Sequence, residues 1–217
     1  MDKKFYRTAI YQNIILYLHR FNDKNITMKM KGIICLETEF ELTGKSSRRA
    51  LNTEPLLHFL SNTHGIPYIY RKVATIEELK YYMTHFAKKK YANNYNIYYF
   101  SFHGDTHLIQ FESGESLDLD DLGKLANGIF EGKFVHFGSC RTMLGSLSAV
   151  EEFRLNTRAK LVSGFTKSVP CDLCAIHDAA FISEILTCKQ MPTIINHMDK
   201  YYGGLQKKLG FRFVMCK

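Results

Sequence analysis

Two short stretches of sequence decide the fold: YYFSFHGD at residues 98–105 and KFVHFGSCRT at residues 133–142. Each has the aromatic and β-branched residues of a buried strand and then stops at small or polar residues. His103 and Gly104 end the first strand, and Cys140 follows the second. If the strands are neighbours in a parallel sheet, their carboxyl ends open into one crevice, where open α/β sheets bind ligands. The pattern therefore predicts that a base and a nucleophile meet there.

Strands and helices alternate on both sides of these stretches. We predict strands at residues 31–36, 66–70, 96–102, 134–138 and 160–165, and helices at residues 53–64, 75–91, 121–127, 146–156 and 172–187. Such alternation is typical of an α/β fold with a parallel sheet and right-handed crossovers. It favours the third and fourth strands as neighbours, which brings side chains just beyond their ends within reach of each other.

The rest of the chain consists of an extension and an insertion. Residues 5–21 carry apolar side chains at helical spacing, so we predict an N-terminal helical extension at 1–27 and one domain at 28–217. A chain of 217 residues is long enough for one sizeable core. The polar, turn-rich residues at 106–119 predict a small hairpin above the sheet.

The composition indicates the cellular compartment of the protein and the kinds of partner that it binds. We do not expect the N-terminal residues to act as an export signal, so we expect the six cysteines to be reduced thiols and the location to be cytoplasmic. No long apolar run occurs, so we expect no membrane span. The formal net charge is +8, but the positive residues are scattered, and the clusters sit beside predicted helix ends. This distribution argues against nucleic acid as a partner.

The residues at the two strand ends suit acyl transfer. A cysteine attacks a carbonyl as its thiolate, and a nearby imidazole favours the thiolate and later returns a proton to the leaving group. Cys140 and His103 fit these roles. The backbone N–H groups of Cys140 and Gly104 would stabilise the oxyanion, and a glycine at position 104 lets a substrate approach. Asp105 either orients the imidazole or caps its own turn, and we expect the cap.

A hydrophobic strand that ends in His-Gly, followed by a strand that ends in a small residue and Cys, resembles the caspase-like (clan CD) cysteine peptidases. These include caspases, gingipains, separases and the bacterial CHAT proteases, and the resemblance covers residues from about 31 to 187. The run Ser139-Cys140-Arg141-Thr142 resembles the CHAT pattern of a small residue, Cys, any residue and Ser or Thr. The caspase signature is met only in part, because its glutamine and final glycine are missing.

This resemblance implies a caspase-like α/β fold, a three-layer α-β-α sandwich with a mainly parallel central sheet. It also implies a cysteine endopeptidase that cleaves protein or peptide substrates through a dyad of His103 and Cys140, with no metal and no organic cofactor. A CHAT-like protease is held in check until a regulatory protein or a signal ligand activates it, as in bacterial regulated-cleavage and defence systems. We expect the segments 1–27 and 106–119 to act in such control.

The resemblance also locates the pocket for the P1 residue, which precedes the cleaved bond. The residues that match the family's pocket are Arg48 or Arg49, Gly138, and Asp172 in the stretch 168–172. A buried arginine would favour an acidic P1 residue, whereas Asp172 would favour a basic one, because an unpaired buried charge is costly. The sequence leaves both specificities open.

The same residues allow two other functions. A caspase-like protein without activity could dock an anionic ligand or nucleic acid on its basic surface, although the presence of His103, Gly104 and Cys140 argues against this. A thiol hydrolase or acyl transferase that acts on small molecules would use the same dyad.

One further group of residues suggests zinc by its composition. Cys171, Cys174 and His177 form C-x-x-C-x-x-H, and Cys188 lies further along the chain. On the predicted helix they spread over nearly two turns, and no second clear pair of ligands follows, so we expect structural roles for them. His136 lies inside the fourth strand, where we expect it to face a helix.

Overall fold

The structure, a computed structural model, describes residues 31–40 and 52–216. The predicted extension at 1–27 lies outside these ranges, so the boundary between extension and domain stays a prediction. The candidate pocket residues Arg48 and Arg49 also lie outside them. The described strands are β1 (Gly32–Glu37), β2 (Tyr68–Lys72), β3 (Tyr95–Ser101), β4 (His103–Asp105), β5 (Leu108–Gln110), β6 (Ser116–Asp118), β7 (Phe134–Phe137), β8 (Leu161–Phe165) and β9 (Phe211–Met215). The described helices are α1 (Glu54–His64), α2 (Ile76–Phe86), α3 (Lys89–Asn94), α4 (Leu119–Ala126), α5 (Leu147–Thr157), α6 (Cys171–Thr187) and α7 (Met191–Leu209).

Six of these strands form one sheet in the order β2-β1-β3-β7-β8-β9. Every neighbouring pair in this sheet is parallel except β8 and β9, which are antiparallel. The order confirms the predicted α/β fold with a mainly parallel sheet. It also confirms that β3 and β7, the third and fourth predicted strands, are neighbours, with Phe100 opposite Phe137.

Helices cover both faces of this sheet. On β1, Ile33 and Cys35 belong to a core that includes residues of α1, α6 and α7. Ile34 and Leu36, which alternate with them, belong to a second core that includes residues of α2, α4 and α5. Because successive side chains of a strand point to opposite faces, a sheet covered on both sides needs apolar residues at consecutive positions. The molecule is therefore the α-β-α sandwich that the sequence resemblance implied.

Local signals set the ends of the helices. Thr75 caps α2 by accepting a hydrogen bond from the Glu78 N–H at 3.2 Å, so this helix begins where the sequence predicted. The helix predicted at 75–91 is interrupted, because α2 ends at Phe86 and α3 begins separately at Lys89. Helix α1 ends at Gly65, whose left-handed φ of 64° is one that glycine adopts without strain. No helix in the described ranges is long and apolar enough to cross a membrane.

One element differs from its predicted form, and one strand was not predicted. The hairpin expected at 106–119 is part of a three-stranded antiparallel sheet, β4-β5-β6, whose first strand begins at His103 itself. The apolar C-terminal stretch Phe211–Met215 forms β9, which pairs with β8 at the edge of the main sheet. Its pairing partner lies about fifty residues earlier in the chain, so short-range patterns do not reveal it.

Candidate active site

The chain segments that follow β3 and β7 lie side by side. The Phe102 N–H donates to the hydroxyl oxygen of Ser139 at 3.2 Å, so the two segments stay hydrogen-bonded beyond the ends of the strands. His103 directly follows Phe102, and Cys140 directly follows Ser139. The structure therefore brings the segments that carry the predicted base and the predicted nucleophile to one edge of the sheet.

Gly104 packs its backbone against the turn that carries Cys140. A β-carbon at Gly104 would lie 2.5 Å from the carbonyl oxygen of Cys140 and 2.5 Å from Oγ1 of Thr142. Two hydrogen bonds join the same segments: the His107 N–H donates to the Thr142 carbonyl at 3.3 Å, and Thr142 Oγ1 donates to the Leu108 carbonyl at 3.4 Å. Only glycine fits at this close approach. Packing against the protein itself is thus a reason for this glycine that the sequence did not suggest.

The thiol of Cys140 is half-buried and contacts the segment before α6. The Val169 N–H donates to Cys140 Sγ at 3.3 Å, so a hydrogen-bond donor faces the sulfur. Val169 directly precedes Pro170, the N-cap residue of α6. The N-terminal end of a helix favours negative charge nearby, because the peptide dipoles leave partial positive charge there. Both features suit a sulfur that carries negative charge during a reaction.

A second thiol lies close to Cys140. Cys171 is the first residue of α6, and partial burial raises the pKa of its thiol, with a further increase from the electrostatic effect of Cys140. A raised pKa keeps a thiol protonated at neutral pH, and the thiolate is the nucleophilic form. Cys171 is therefore a poor candidate for the nucleophile.

The imidazole of His103 is exposed at the start of β4. Its ring packs edge-on against Phe40, with ring centroids 4.8 Å apart and an interplanar angle of 76°. No hydrogen bond to another residue within 31–40 and 52–216 holds this ring. Catalytic hydrogen bonds often tighten only when substrate is bound. The contact with Phe40 could not be found from local sequence, because 63 positions separate the two rings.

Asp105 caps its turn, as expected, and does not contact His103. Its Oδ1 accepts a hydrogen bond from the Thr106 N–H at 2.7 Å. The same oxygen lies 3.2 Å from Nη2 of Arg141, the residue after Cys140. This ion pair gives the β4-β5-β6 sheet a further link to the cysteine turn.

Two backbone N–H groups near Cys140 are candidate oxyanion donors. Asp105 and Leu108 pair across a two-residue turn, which makes them a hydrogen-bonded pair of the β4-β5 ladder. Because such pairs alternate with non-hydrogen-bonded ones, Gly104 and its partner Ile109 exchange no hydrogen bonds, and the Gly104 N–H does not donate to β5. The Cys140 N–H donates to no acceptor in the described part of the chain. These are the two donors predicted from the sequence.

Of the candidate P1-pocket residues, the structure describes Gly138 and Asp172. Arg48 and Arg49 lie outside the described residues. A β-carbon at Gly138 would lie 2.7 Å from the hydroxyl oxygen of Tyr99, so this glycine packs against Tyr99 two positions before Cys140. Asp172 is exposed in the first turn of α6, where its Oδ1 accepts a hydrogen bond from the N–H of the following residue at 2.9 Å. The described residues leave the P1 preference open.

A buried polar cluster beside Tyr99 was not predicted. Asp178 of α6 is fully buried and accepts a hydrogen bond from the Tyr99 hydroxyl at 2.7 Å. Its Oδ1 lies 3.0 Å from His136 Nε2 and 3.2 Å from His177 Nδ1. Burial acts to raise the pKa of Asp178, but the two histidines hold that pKa well below its usual range. The contact with α6 also confirms that His136 faces a helix.

The same cluster accounts for two residues that suggested zinc. Cys174 Sγ donates to Asp178 Oδ2 at 3.3 Å, and His177 pairs with the other oxygen of this carboxylate. Burial and the Asp178 charge raise the pKa of Cys174, so its thiol stays protonated and donates to the carboxylate. Cys174 and His177 therefore both contact the buried carboxylate of Asp178.

Residues 30–215 match the model of a family described as a family of unknown function (DUF6642). No curated protein matches the sequence. In structure the chain is similar to the Drosophila initiator caspase Dronc, with a TM-score of 0.54 and 12% sequence identity over 86% of this chain and 82% of that chain. It is also similar to a secreted C11 cysteine protease from Bacteroides thetaiotaomicron in complex with an irreversible peptide inhibitor. That similarity has a TM-score of 0.53 and 15% identity, over 82% of this chain and 59% of that chain.

The TM-scores of 0.54 and 0.53 show a shared fold, and at 12% and 15% identity the similarity shows the fold alone. The chain therefore has the fold of the caspase and C11 cysteine proteases, and the caspase-like fold implied by the two strand ends is confirmed. The narrower resemblance to CHAT proteases rests on the sequence pattern at residues 139–142.

Proposed function

The chain belongs to the DUF6642 family, whose function is unknown, and we propose that it is a cysteine endopeptidase with Cys140 as nucleophile and His103 as general base and acid. The caspase-like fold supports a protease. The observation that carries the proposal is the packing of Gly104 against the Cys140 turn, because it keeps the histidine and cysteine segments together at one sheet edge.

In the acylation step, Cys140 Sγ attacks the carbonyl carbon of the scissile peptide bond, and His103 takes the thiol proton. The carbonyl oxygen becomes an oxyanion, which accepts hydrogen bonds from the N–H groups of Cys140 and Gly104. His103 then gives its proton to the leaving amine, the C–N bond breaks, and the acyl group remains on Cys140 as a thioester.

In the deacylation step, water attacks the thioester carbonyl while His103 accepts a proton from it. The C–S bond breaks, the product leaves as a carboxylic acid, and the Cys140 sulfur regains a proton from His103. The Val169 N–H, 3.3 Å from Cys140 Sγ, supports the negative charge on the departing sulfur.

Protein or peptide substrates are the class that caspase-like proteases cleave. The family resemblance assigns the P1 pocket to Arg48 or Arg49, Gly138 and Asp172, with either an acidic or a basic P1 residue. A peptide library separates these two specificities. If Asp172 lines the pocket, Asp172→Asn will lose a preference for basic P1 residues, and if an arginine dominates, Arg48→Ala or Arg49→Ala will lose a preference for acidic ones.

The CHAT-like pattern at 139–142 supports control of the activity in the cytoplasm by a regulatory protein or a signal ligand, within a bacterial regulated-cleavage or defence system. The β4-β5-β6 sheet carries His103 at its first residue, so a partner that shifts this sheet also changes the position of the base relative to Cys140. We therefore expect an activator to act on the segment 106–119, which follows His103 in the same small sheet.

Selective alkylation tests the dyad without knowledge of the substrate. The full-length chain is treated with iodoacetamide or with a peptide-based electrophile, and the rate of modification of each cysteine is followed by mass spectrometry. We expect Cys140 to react first and to lose this advantage in His103→Ala, because the imidazole promotes the thiolate. The exposed Cys216 is the reference thiol in the same sample.

The outcomes distinguish the proposed function from its alternatives. If Cys140 reacts no faster than Cys216, the thiolate argument fails and a caspase-like binding module becomes the better account. If Cys140 reacts fast with iodoacetamide but not with peptide electrophiles, a thiol hydrolase or acyl transferase for small molecules is favoured.

A further inference from the structure

A second cluster of reactive side chains lies at the junction of α6 and α7. Glu184 is in the last turn of α6, Cys188 is its C-cap residue, and His197 is in the second turn of α7. Their ligand atoms all lie within 4.8 Å of one another. His197 Nδ1 lies 2.9 Å from Glu184 Oε2, and Cys188 Sγ lies 3.2 Å from that oxygen and 4.0 Å from His197 Nδ1.

These distances match those between ligands of a tetrahedral metal ion. Zinc bonds of about 2.0–2.3 Å at tetrahedral angles place an oxygen, a nitrogen and a sulfur ligand roughly 3.4–3.6 Å apart. Each of the three observed separations is within about 0.6 Å of this range, a difference that small side-chain rotations remove. Thiolate, imidazole and carboxylate are the three ligand types that zinc uses in proteins.

The exposure of the cluster leaves room for a fourth ligand. The side chains of His197 and Glu184 are 39% and 20% exposed, so one side of the cluster is open to water while the rest is enclosed by the two helices. One thiolate and one carboxylate together balance the charge of a divalent ion. Three protein ligands and one open position form a common zinc coordination set.

We propose that Glu184, Cys188 and His197 bind Zn²⁺, with water as the fourth ligand, and that the ion joins the end of α6 to α7. Binding replaces the proton on Cys188 Sγ, which passes to solvent, and breaks the hydrogen bonds that join the three side chains. The site lies far from the proposed dyad, because Glu184 is thirteen residues along α6 from Cys171, a rise of about 20 Å.

The chain has other thiols and imidazoles, so the test removes the strongest competitor. Co²⁺ is added to the full-length Cys140→Ala chain as a spectroscopic substitute for Zn²⁺. We expect one Co²⁺ per chain, with the visible bands of a tetrahedral ion and a thiolate charge-transfer band, and we expect Zn²⁺ to displace it. Cys188→Ala and His197→Asn in the same background should weaken binding at least about tenfold.

Matched control variants separate this site from other thiols. Cys171→Ser removes a cysteine at the opposite end of α6, and His58→Asn removes an exposed histidine of α1, and neither should change the cobalt spectrum. The proposal is overturned if the Cys188→Ala chain binds Co²⁺ as tightly as its parent, if Cys171→Ser loses the visible bands, or if no thiolate band appears.

Thermal unfolding gives an independent result if a variant is poorly folded. Zn²⁺ should raise the Tm of the Cys140→Ala chain, and the milder Glu184→Gln variant should keep the metal-free Tm within a few degrees yet lose most of the zinc-induced increase. A Tm that does not respond to Zn²⁺ in the parent chain contradicts the site. The proposed peptidase can fail its own tests without affecting these results.

Discussion

The backbone of Gly104 faces the carbonyl oxygen of Cys140 so closely that a β-carbon at Gly104 would lie 2.5 Å from it. The hydrogen bond from the Phe102 N–H to Ser139 Oγ, at 3.2 Å, keeps the adjoining segments in the same register. The proposed base and the proposed nucleophile thus lie on two segments whose close approach requires a glycine at position 104.

Gly104→Ala should therefore reduce activity strongly. The added methyl group collides with backbone, which cannot rotate away, so β4 must move from the cysteine turn and take His103 with it. We expect a loss of at least about 100-fold in kcat/KM, because a displacement of about 1 Å is enough for that.

Gly203→Ala is the matched control for this substitution. A β-carbon at Gly203, within α7, meets no atom within 4 Å, so its activity should equal that of wild type. Full activity of Gly104→Ala would contradict the role given to the close approach. Circular dichroism of both variants checks that the fold is intact.

Asp105→Asn should have little effect on catalysis. Asp105 caps its turn and pairs with Arg141, and the two side chains are 45% and 44% exposed, so the ion pair is weak. Asparagine can still accept the Thr106 N–H, and we expect kcat/KM to fall less than about fivefold. A loss as large as that of His103→Ala would mean that Asp105 orients the imidazole after all.

Asp178→Asn should destabilise the protein and change how its stability responds to acid. The pKa of Asp178 is lower in the folded chain than its ordinary value of 3.8, so its ionised form stabilises folding. This stabilisation is fully present above the unfolded pKa and is lost as pH falls below about 4 toward the folded pKa. At pH 7 the free energy of unfolding of the variant should be about 3–5 kcal/mol lower than that of wild type. This free energy should also change less than that of wild type as the pH falls.

Urea unfolding at pH 7 and at several values between pH 5 and pH 3 measures this effect. Tyr99→Phe is the control, because it removes one hydrogen bond to Asp178 and keeps the charge, at a cost of about 1.5–3 kcal/mol. An Asp178→Asn chain as stable as wild type at pH 7 would contradict the buried pairing.

The sequence predicted those features that depend on local patterns. Alternating strands and helices were enough to predict that β3 and β7 are neighbours, and the strand ends at His103 and Cys140 indicated the fold. The helix predicted from residue 75 likewise begins there, with Thr75 as its N-cap. In each of these cases the deciding residues lie within one element or at its end.

The remaining features depend on contacts between distant parts of the chain. Asp178 is buried because α6 covers His136 of β7, and no pattern within α6 reveals that partner. Cys188 is grouped in sequence with Cys174, but in the structure it contacts Glu184 and His197. Strand β9 likewise pairs only once the two last helices bring it back to β8.

Cleavage of a peptide library by the full-length chain tests the central claim most directly. Wild type is compared with Cys140→Ala and His103→Ala. Each chain is assayed alone and with a cytoplasmic extract as a source of activator. The account predicts cleavage after a defined P1 residue by wild type, none by Cys140→Ala, and a reduction of about 10²–10⁴ in His103→Ala. Cleavage by Cys140→Ala at the rate of wild type would contradict it.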